Sequence, residues 1–381
     1  MSRPVRLLHC HGSFDLGGKE ARTARLMNRF GADAHHVVLA ANGEFGARKA
    51  IDPAVQVDFP DDAPSLAGKP GLGRYRRIGA YMKRFDLVLS YNWGSMDAVM
   101  ANTLLGSSMG LPPLVHHEDG FNADEAERLS RKRNWFRALA LTRAKALVVP
   151  SVRLEQVAQS AWHQSADKIH RIANGIDTDL YEKKPQRGAI PGFKPARGAV
   201  TVGTIAGLRP VKRLDRLVRA VGAAGDGIRL VIVGEGPDKD RIAAEAASLN
   251  MTDRLLMPGF LDRPHRFAGL FDIFALSSDS EQFPISVVEA MAAGLPVAAP
   301  AVGDIADMVS AANAPFITPP GDEAALAQAI ATLAADPKKR ASVGEANRAK
   351  AQAQYNEDRM VARYRLLYAS AMGRPDFAQG Y

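Results

Sequence analysis

SSDSEQFPISVVEAMAAGLPVAAPAV, residues 277–302, is the stretch on which the reading of this chain turns. An apolar run at 273–276 precedes it and reads as a buried strand. Pro284 suits a first helical position, where its missing N–H would have no partner anyway. Ile285, Val288, Met291 and Ala292 recur at helical spacing. Gly294 and Pro296 stop the helix, and a second buried strand follows at 295–299. Glu281 therefore stands on a strand-to-helix loop, and Glu289 is expected about two turns inside the helix. Open parallel sheets bind ligands beyond the carboxyl ends of their strands, beside helix N-termini that carry partial positive charge. The loop around Glu281 is thus placed at the mouth of a site.

Working outward, short apolar runs at 5–8, 36–39, 55–59, 87–90, 114–116, 146–150 and 169–172 alternate with helical patterns. The rhythm restarts with runs at 200–206, 229–233, 255–257 and 271–276. That alternation predicts an α/β fold with a doubly wound parallel sheet, built twice. The segment 183–198, KKPQRGAIPGFKPARG, is rich in Pro, Gly and basic residues and reads as the junction. Domains are expected over 1–185 and 186–354, and residues 322–372 read as helical. A chain of 381 residues is long enough for two cores.

Hydrophobic residues make up 46% and charged residues 24%, an ordinary globular balance. No apolar run reaches eighteen residues, and the N-terminal apolar patch is too short for a signal peptide. The single cysteine, Cys10, excludes an internal disulfide and suits a reducing cytoplasm. No Cys/His cluster suggests a structural metal. The net charge of +8 is uneven. Residues 1–190 carry 27 Lys and Arg against 20 Asp and Glu, an excess of seven, while the remainder carries 22 against 21. A basic first half fits nucleic acid, an anionic membrane face or a phosphorylated substrate. No nucleic-acid-binding module is recognisable.

Several residues can carry chemistry. Gly17-Gly18-Lys19-Glu20 follows the first strand and opens a helix, an arrangement in which a backbone can approach phosphate, although Gly-Gly is equally a structural turn. Arg209 and Lys212 stand three apart at a helix start, so both can aim at one point. Gly234-Glu235-Gly236 ends another strand, as a site element or a tight turn. The run His116-His117-Glu118-Asp119-Gly120-Phe121 places four ionisable groups at a strand end, and histidine suits proton transfer near neutral pH. The segment Arg131-Lys132-Arg133-Asn134-Trp135-Phe136 mixes cations and aromatics on an expected helix. It reads either as an interfacial helix on anionic lipid, with Arg131, Lys132, Arg133, Trp135 and Phe136 facing the membrane, or as a solvated basic face with two core aromatics.

The pattern Glu281-Gln282-Phe283-Pro284…Glu289-Ala290-Met291-Ala292-Ala293-Gly294-Leu295-Pro296-Val297 resembles the E-G-F-P…E-A-M-A-x-G-x-P-V motif of the retaining nucleotide-sugar glycosyltransferases (glycosyltransferase family 4-like). Gln282 replaces the usual glycine. The family's G-G-x-E loop matches Gly17, Gly18 and Glu20. Its G-x-L…K-G element matches Gly207-Leu208-Arg209…Lys212, with Arg213 where glycine is common, and its N-G-I-D matches residues 174–177.

The resemblance implies the GT-B fold, two Rossmann-like domains facing a cleft, with a final helix, about 355–381, packing back on the first. It implies a nucleotide-sugar co-substrate, a UDP-sugar favoured, with no required metal. Gly17, Gly18, Arg209, Lys212, Gly234, Glu281, Phe283, Pro284, Ile285 and Glu289 would bind that donor. Arg209 and Lys212 would hold the diphosphate, Glu289 the ribose hydroxyls, and Glu281 the donor sugar. Glu20, His116 and Glu118 would face the acceptor, a lipid or saccharide hydroxyl. A histidine is usual near 116–119. Alignment on Gly120-Phe121 puts Asp119 in its place and alignment on the strand puts His116 or His117 there; Asp119 and His117 are the candidates facing the sugar or the acceptor. The resemblance implies cell-envelope glycoconjugate or polysaccharide synthesis, and the basic first half adds an expected peripheral contact with the cytoplasmic face of the inner membrane. A UDP-sugar epimerase of similar build, or a non-catalytic protein on an anionic membrane, are the alternatives.

Overall fold

The structure, a computed structural model, describes residues 3–15, 17–120, 129–195 and 198–379. Contacts divide the chain into two units, 1–173 with 360–381, and 174–359. The division falls at Ala173/Asn174, ahead of the Pro- and Gly-rich junction expected at 183–198.

Unit 1 contains strands β1 (Val5–His11), β2 (Ala34–Ala40), β3 (Val57–Asp58), β4 (Leu87–Tyr91), β5 (Leu114–His117), β6 (Ala146–Val149) and β7 (Ile169–Arg171). Its helices are α1 (Gly18–Phe30), α2 (Leu72–Met82), α3 (Met96–Met109), α4 (Arg131–Ala140) and α5 (Val152–Ser160). The sheet order is β3-β2-β1-β4-β5-β6-β7, and the paired strands are parallel. Along β1, Leu8 and Cys10 enter one core cluster while Val5 and Leu7 enter another. That is the period-two alternation of a strand covered on both faces. The second cluster is completed by Met360, Val361, Tyr364 and Tyr368 of α12 (Glu357–Met372), which follows unit 2 in sequence; a short α13 (Pro375–Ala378) comes after it.

Unit 2 contains β8 (Val200–Ile205), α6 (Leu214–Ala224), β9 (Ile228–Val233), α7 (Lys239–Ser248), β10 (Leu255–Gly259), β11 (Ile273–Ala275), α8 (Ile285–Ala292), β12 (Val297–Pro300), α9 (Ile305–Met308), β13 (Ile317–Thr318), α10 (Glu323–Ala335) and α11 (Pro337–Gln354). Its parallel sheet runs β10-β9-β8-β11-β12-β13. Leu217 and Val221 of α6 pack with Val202, Leu230, Ile232 and Ile330. The expected α/β class, two Rossmann-like units each with a doubly wound parallel sheet, is what the chain adopts. Strand limits differ locally: the run at 55–59 pairs only at Val57–Asp58, and the strand expected at 295–299 is β12, Val297–Pro300.

In each sheet the strand order reverses once, between β1 and β4 in unit 1 and between β8 and β11 in unit 2. The chain leaves the two strands at such a point in opposite directions, opening a crevice beyond their carboxyl ends.

Candidate active site

In unit 2, the chain beyond β8 runs through Gly207 and Leu208 to Arg209. A single 3-10 turn, Pro210–Lys212, follows, so the helix expected directly after Arg209 starts only at Leu214. Arg213, between turn and helix, takes the left-handed conformation (φ 46°, ψ 46°). That conformation is why glycine is the easy residue there.

Beyond β11, Ser277 and Ser278 are buried and the loop swings to Glu281. Lys212 Nζ lies 2.6 Å from Glu281 Oε1, and Ser278 Oγ donates to the same oxygen at 2.7 Å. Glu281 is nearly buried, its side chain 8% exposed against 23% for Lys212. Arg209, in contrast, is exposed, and its guanidinium has no partner among the described residues.

Pro284 is the N-cap of α8 rather than its first residue, and the helix has eight residues. Glu289 is its fifth residue, one turn in rather than two, and is half-buried. Phe283 packs edge-on against Tyr355, Pro284 is buried, and Ile285 opens the helix half-buried. Gln282 is not among the positive-φ residues, so its side chain imposes no backbone strain where the motif has glycine.

Gly234 and Gly236 have φ of 148° and 154°. A Cβ on Gly234 would lie 1.9 Å from the Ala206 carbonyl oxygen, and one on Gly236 2.4 Å from that of Leu208. Leu208 N–H donates to the Glu235 carbonyl at 2.9 Å. The glycines thus let two backbones touch, which fixes the loop leading to Arg209.

In unit 1, β1 and β4 end against each other: a Cβ on Gly94 would lie 2.4 Å from Gly12 Cα. Gly17 is the N-cap of α1 and Gly18 its first residue, both exposed. Glu20 is buried, pairs with Lys19, and folds back so that its Oε2 lies 2.7 Å from where a Gly17 Cβ would be. A carboxylate over the first turn of a helix complements the positive end of its dipole.

Two residues on, Arg22 forms a two-pronged ion pair with Asp119, one arm Nη2 to Oδ2 at 2.8 Å. Arg22 also lies over the Tyr364 ring, 5.6 Å from its centroid. Burial works to raise the Asp119 carboxyl, but Arg22 beside it outweighs this and holds it below the ordinary value. Burial lowers Lys19, with Asp119 opposing. Asn92, itself at φ 53°, accepts from the Asp119 N–H at 2.7 Å.

The histidines depart from expectation. His117 is buried beneath this cluster; its Nδ1 is 3.1 Å from the Ser90 carbonyl and its Nε2 2.8 Å from the Tyr368 hydroxyl. The carbonyl can only accept, so Nδ1 carries the proton and Nε2 accepts from Tyr368. Burial, with Arg22 nearby, pushes His117 down to about 3. With both nitrogens engaged and the ring neutral, it is a structural strut rather than a proton carrier. His116 and Glu118, expected on the acceptor side, are fully buried within the unit: His116 Nδ1 bonds Ser90 Oγ at 2.8 Å, and Glu118 pairs with Arg137 at 3.1 Å. Strand alternation turns them into the interior. Phe121, used in one alignment, lies outside the described residues. Of the four ionisable groups in the run, Asp119 alone keeps partial exposure, 13% of its side chain.

Along α4, Trp135 is 69% exposed, with Leu139 one turn on and Arg131 and Lys132 one turn before, all exposed. Phe136 and Arg133, expected on the same outer face, turn inward instead: Phe136 packs edge-on against Trp93 and Arg133 lies over that ring.

Sequence reasoning missed Arg22, Asn92 and Tyr364. Arg22 had no signal, because the partner that gives it meaning lies 97 residues away.

Residues 16–180 match the family described as Glycosyltransferase Family 4, and residues 193–350 match Glycosyl transferases group 1. EpsF of Bacillus subtilis (strain 168) is 31% identical over 305 residues, 71% of this chain and 76% of its own length. The chain belongs to the group 1 glycosyltransferases. The N-acetyl-alpha-D-glucosaminyl L-malate synthase of Bacillus anthracis is 25% identical over 202 residues, 52% of this chain, and the match spans about half (53%) of the synthase's length. Among solved structures, Anabaena Alr3699/HepE in complex with UDP is similar with a TM-score of 0.77 at 20% identity, covering 96% of this chain and all of that one. A glycosyltransferase from Rickettsia africae reaches a TM-score of 0.78 at 14% identity, over 97% and 99% of the two chains. These structural likenesses establish the two-unit fold of this family of enzymes. No helix among the described residues is long and apolar enough to cross a membrane.

Proposed function

We propose that this glycosyltransferase moves a sugar from a UDP-sugar to a hydroxyl of a lipid or saccharide acceptor, with retention of the anomeric configuration. The observation that carries the reading is the pair of cations at the unit 2 switch point: Arg209 exposed and without a partner among the described residues, Lys212 already held by Glu281. Breaking the bond from sugar C1 to the diphosphate oxygen builds negative charge on the leaving group, and cations set in advance stabilise that charge. The acceptor oxygen forms the new bond on the face the diphosphate leaves, and the departing phosphate takes the hydroxyl proton. Glu289 holds the ribose hydroxyls and the Glu281 loop the donor sugar. In unit 1, Asp119, kept ionised by Arg22, binds a sugar or acceptor hydroxyl. With two cations on the diphosphate, turnover persists in chelator.

UDP is favoured because similar structures hold UDP or UDP-glucose. Among relatives, GDP-mannose-dependent mannosyltransferases make GDP-sugars the necessary comparison. The exposed Trp135 and Leu139, beside Arg131 and Lys132 in a basic unit, fit a peripheral contact with anionic lipid.

The test is a calorimetric titration with UDP and GDP, then turnover with a panel of sugar nucleotides and NMR of the product's anomeric carbon. Tighter UDP binding, release of UDP and a retained anomer are expected. No binding of either nucleotide removes the proposal, and isomerised UDP-sugar without acceptor shows an epimerase instead. Pelleting with anionic but not neutral vesicles, lost in Trp135→Ala, is the expected result for the membrane contact.

A further inference from the structure

We infer that Arg213 is a positioning residue of the donor site, clasping the loop that carries Lys212 to the loop that carries Glu281 through Asp279. The inference rests on the reading of Lys212 and Glu281 as donor ligands. Arg213 adopts a left-handed backbone, where a side chain meets a steric penalty that glycine lacks. The side chain is therefore the feature to explain. Its Nε and Nη2 meet the two oxygens of Asp215 at 3.3 and 3.4 Å, and its Nη1 meets Asp279 Oδ2 at 3.3 Å. Arg216 holds the other Asp279 oxygen at 2.8 Å and donates to the Ser277 carbonyl at 3.0 Å.

The same two loops are joined through backbone. Asp279 N–H donates to the Val211 carbonyl at 2.9 Å, and Ser277 Oγ reaches the Lys212 and Arg213 carbonyls at 3.0 and 2.8 Å. Arg213 directly follows Lys212, and Asp279 stands two residues before Glu281. The clasp thus sits immediately outside the Lys212–Glu281 pair. Half-exposed ion pairs contribute little singly, but a network that shares carboxylates fixes geometry. The catalytic value of a cation depends on where it stands when the leaving group charges.

The experiment compares Arg213→Gly, Arg213→Lys, Asp279→Asn and the Arg213→Gly/Asp279→Asn double variant, with Lys212→Ala alongside. Readouts are kcat, donor KM, UDP affinity and Tm, using the sugar nucleotide that turns over in the panel above. Arg213→Gly removes the clasp while relieving the backbone, and Asp279→Asn removes it without touching that backbone. Each is expected to lower kcat about tenfold with donor KM, UDP affinity and Tm little changed. The double variant is expected to be no worse than either single one, and Arg213→Lys to recover part of the loss. Wild-type kcat in Arg213→Gly overturns the clasp. So does a loss confined to Arg213 variants with Asp279→Asn unaffected, which makes Arg213 a donor ligand, or a loss that follows Tm. If Lys212→Ala keeps full turnover, the donor-site reading itself falls; if Lys212→Ala is inactive while Arg213→Gly is normal, the clasp alone falls.

Discussion

Arg209 and Lys212 lie one 3-10 turn apart, yet the fold treats them differently, one exposed with no partner among the described residues and one held by Glu281. Lys212→Ala removes a cation whose position is set before substrate arrives. It is expected to lower kcat by about 10²–10³-fold, the size of losing one preorganised group at developing charge. Arg209→Ala, removing a group ordered only on binding, is expected to raise donor KM as well. Steady-state kinetics with varied donor checks both.

The Arg22–Asp119 pair behaves otherwise, because Arg22 is buried in unit 1 and Asp119 keeps only 13% of its side chain exposed. Arg22→Ala strands a carboxylate in the interior and is expected to destabilise by about 3–5 kcal/mol, read as a lower urea midpoint. Asp119→Asn keeps one acceptor oxygen, so its destabilisation is expected to be smaller. Lys212 and Glu281 were legible as candidates in sequence because the residues around each form a local pattern, and the structure pairs them. Asp119 was legible only as one of four ionisable neighbours, and Arg22 not at all, since their pairing exists only once α1 meets the end of β5.

At the scale of elements, the strands were readable because a sheet covered on both faces needs continuous apolar runs. Their ends were not, because pairing partners decide where a strand stops. Glycines at strand ends were ambiguous for the same reason: Gly234 is a packing requirement, visible only when β9 and the loop after β8 are side by side. Gly234→Ala would press a methyl group into the Ala206 carbonyl at a φ of 148°. It is expected to destabilise unit 2 by roughly 2 kcal/mol or more and to weaken UDP binding with it, measured by denaturant unfolding and calorimetry. The helix α4 shows the limit of composition as a guide. Trp135 and Phe136 are neighbours in sequence, and a rotation of one residue along the helix puts one in solvent and the other on Trp93.

For the whole molecule, the two units differ most in their titratable interiors. Eight of the nine histidines fall in residues 1–173, and His265 is the one in unit 2. Burial holds His9 and His11 well below the ordinary value and His36 and His117 at about 3. These rings are neutral when folded and charge on unfolding, so their contribution is complete above about pH 6.5 and is lost as pH falls below it, for His36 and His117 down to about 3. His36 and His117 each lose about 1.4 kcal/mol of stability per pH unit in that window, and His9 and His11 act in the same direction.

Unit 2 instead carries Asp215, an acid shared by Arg213, Arg219 and Arg241. Burial works to raise its carboxyl, but Arg213 and Arg241 outweigh this and hold it at about 2. Its contribution persists above 3.8 and is lost only as pH falls toward 2. Acid is therefore expected to unfold unit 1 first. Trp93, Trp135 and Trp162 all lie in unit 1, so tryptophan fluorescence is expected to change at higher pH than the far-ultraviolet dichroism of the whole chain. Coincident transitions would count against this difference between the units.

Because α12 supplies Met360, Val361, Tyr364 and Tyr368 to the core of unit 1, that core cannot close until the ribosome has translated everything in between. The second unit, contiguous in sequence, has all its residues first. Nascent chains halted near residue 359 should hold a sheet with one oily side covered only in part, by Leu26 and Phe30 of α1, a target for chaperones until α12 emerges.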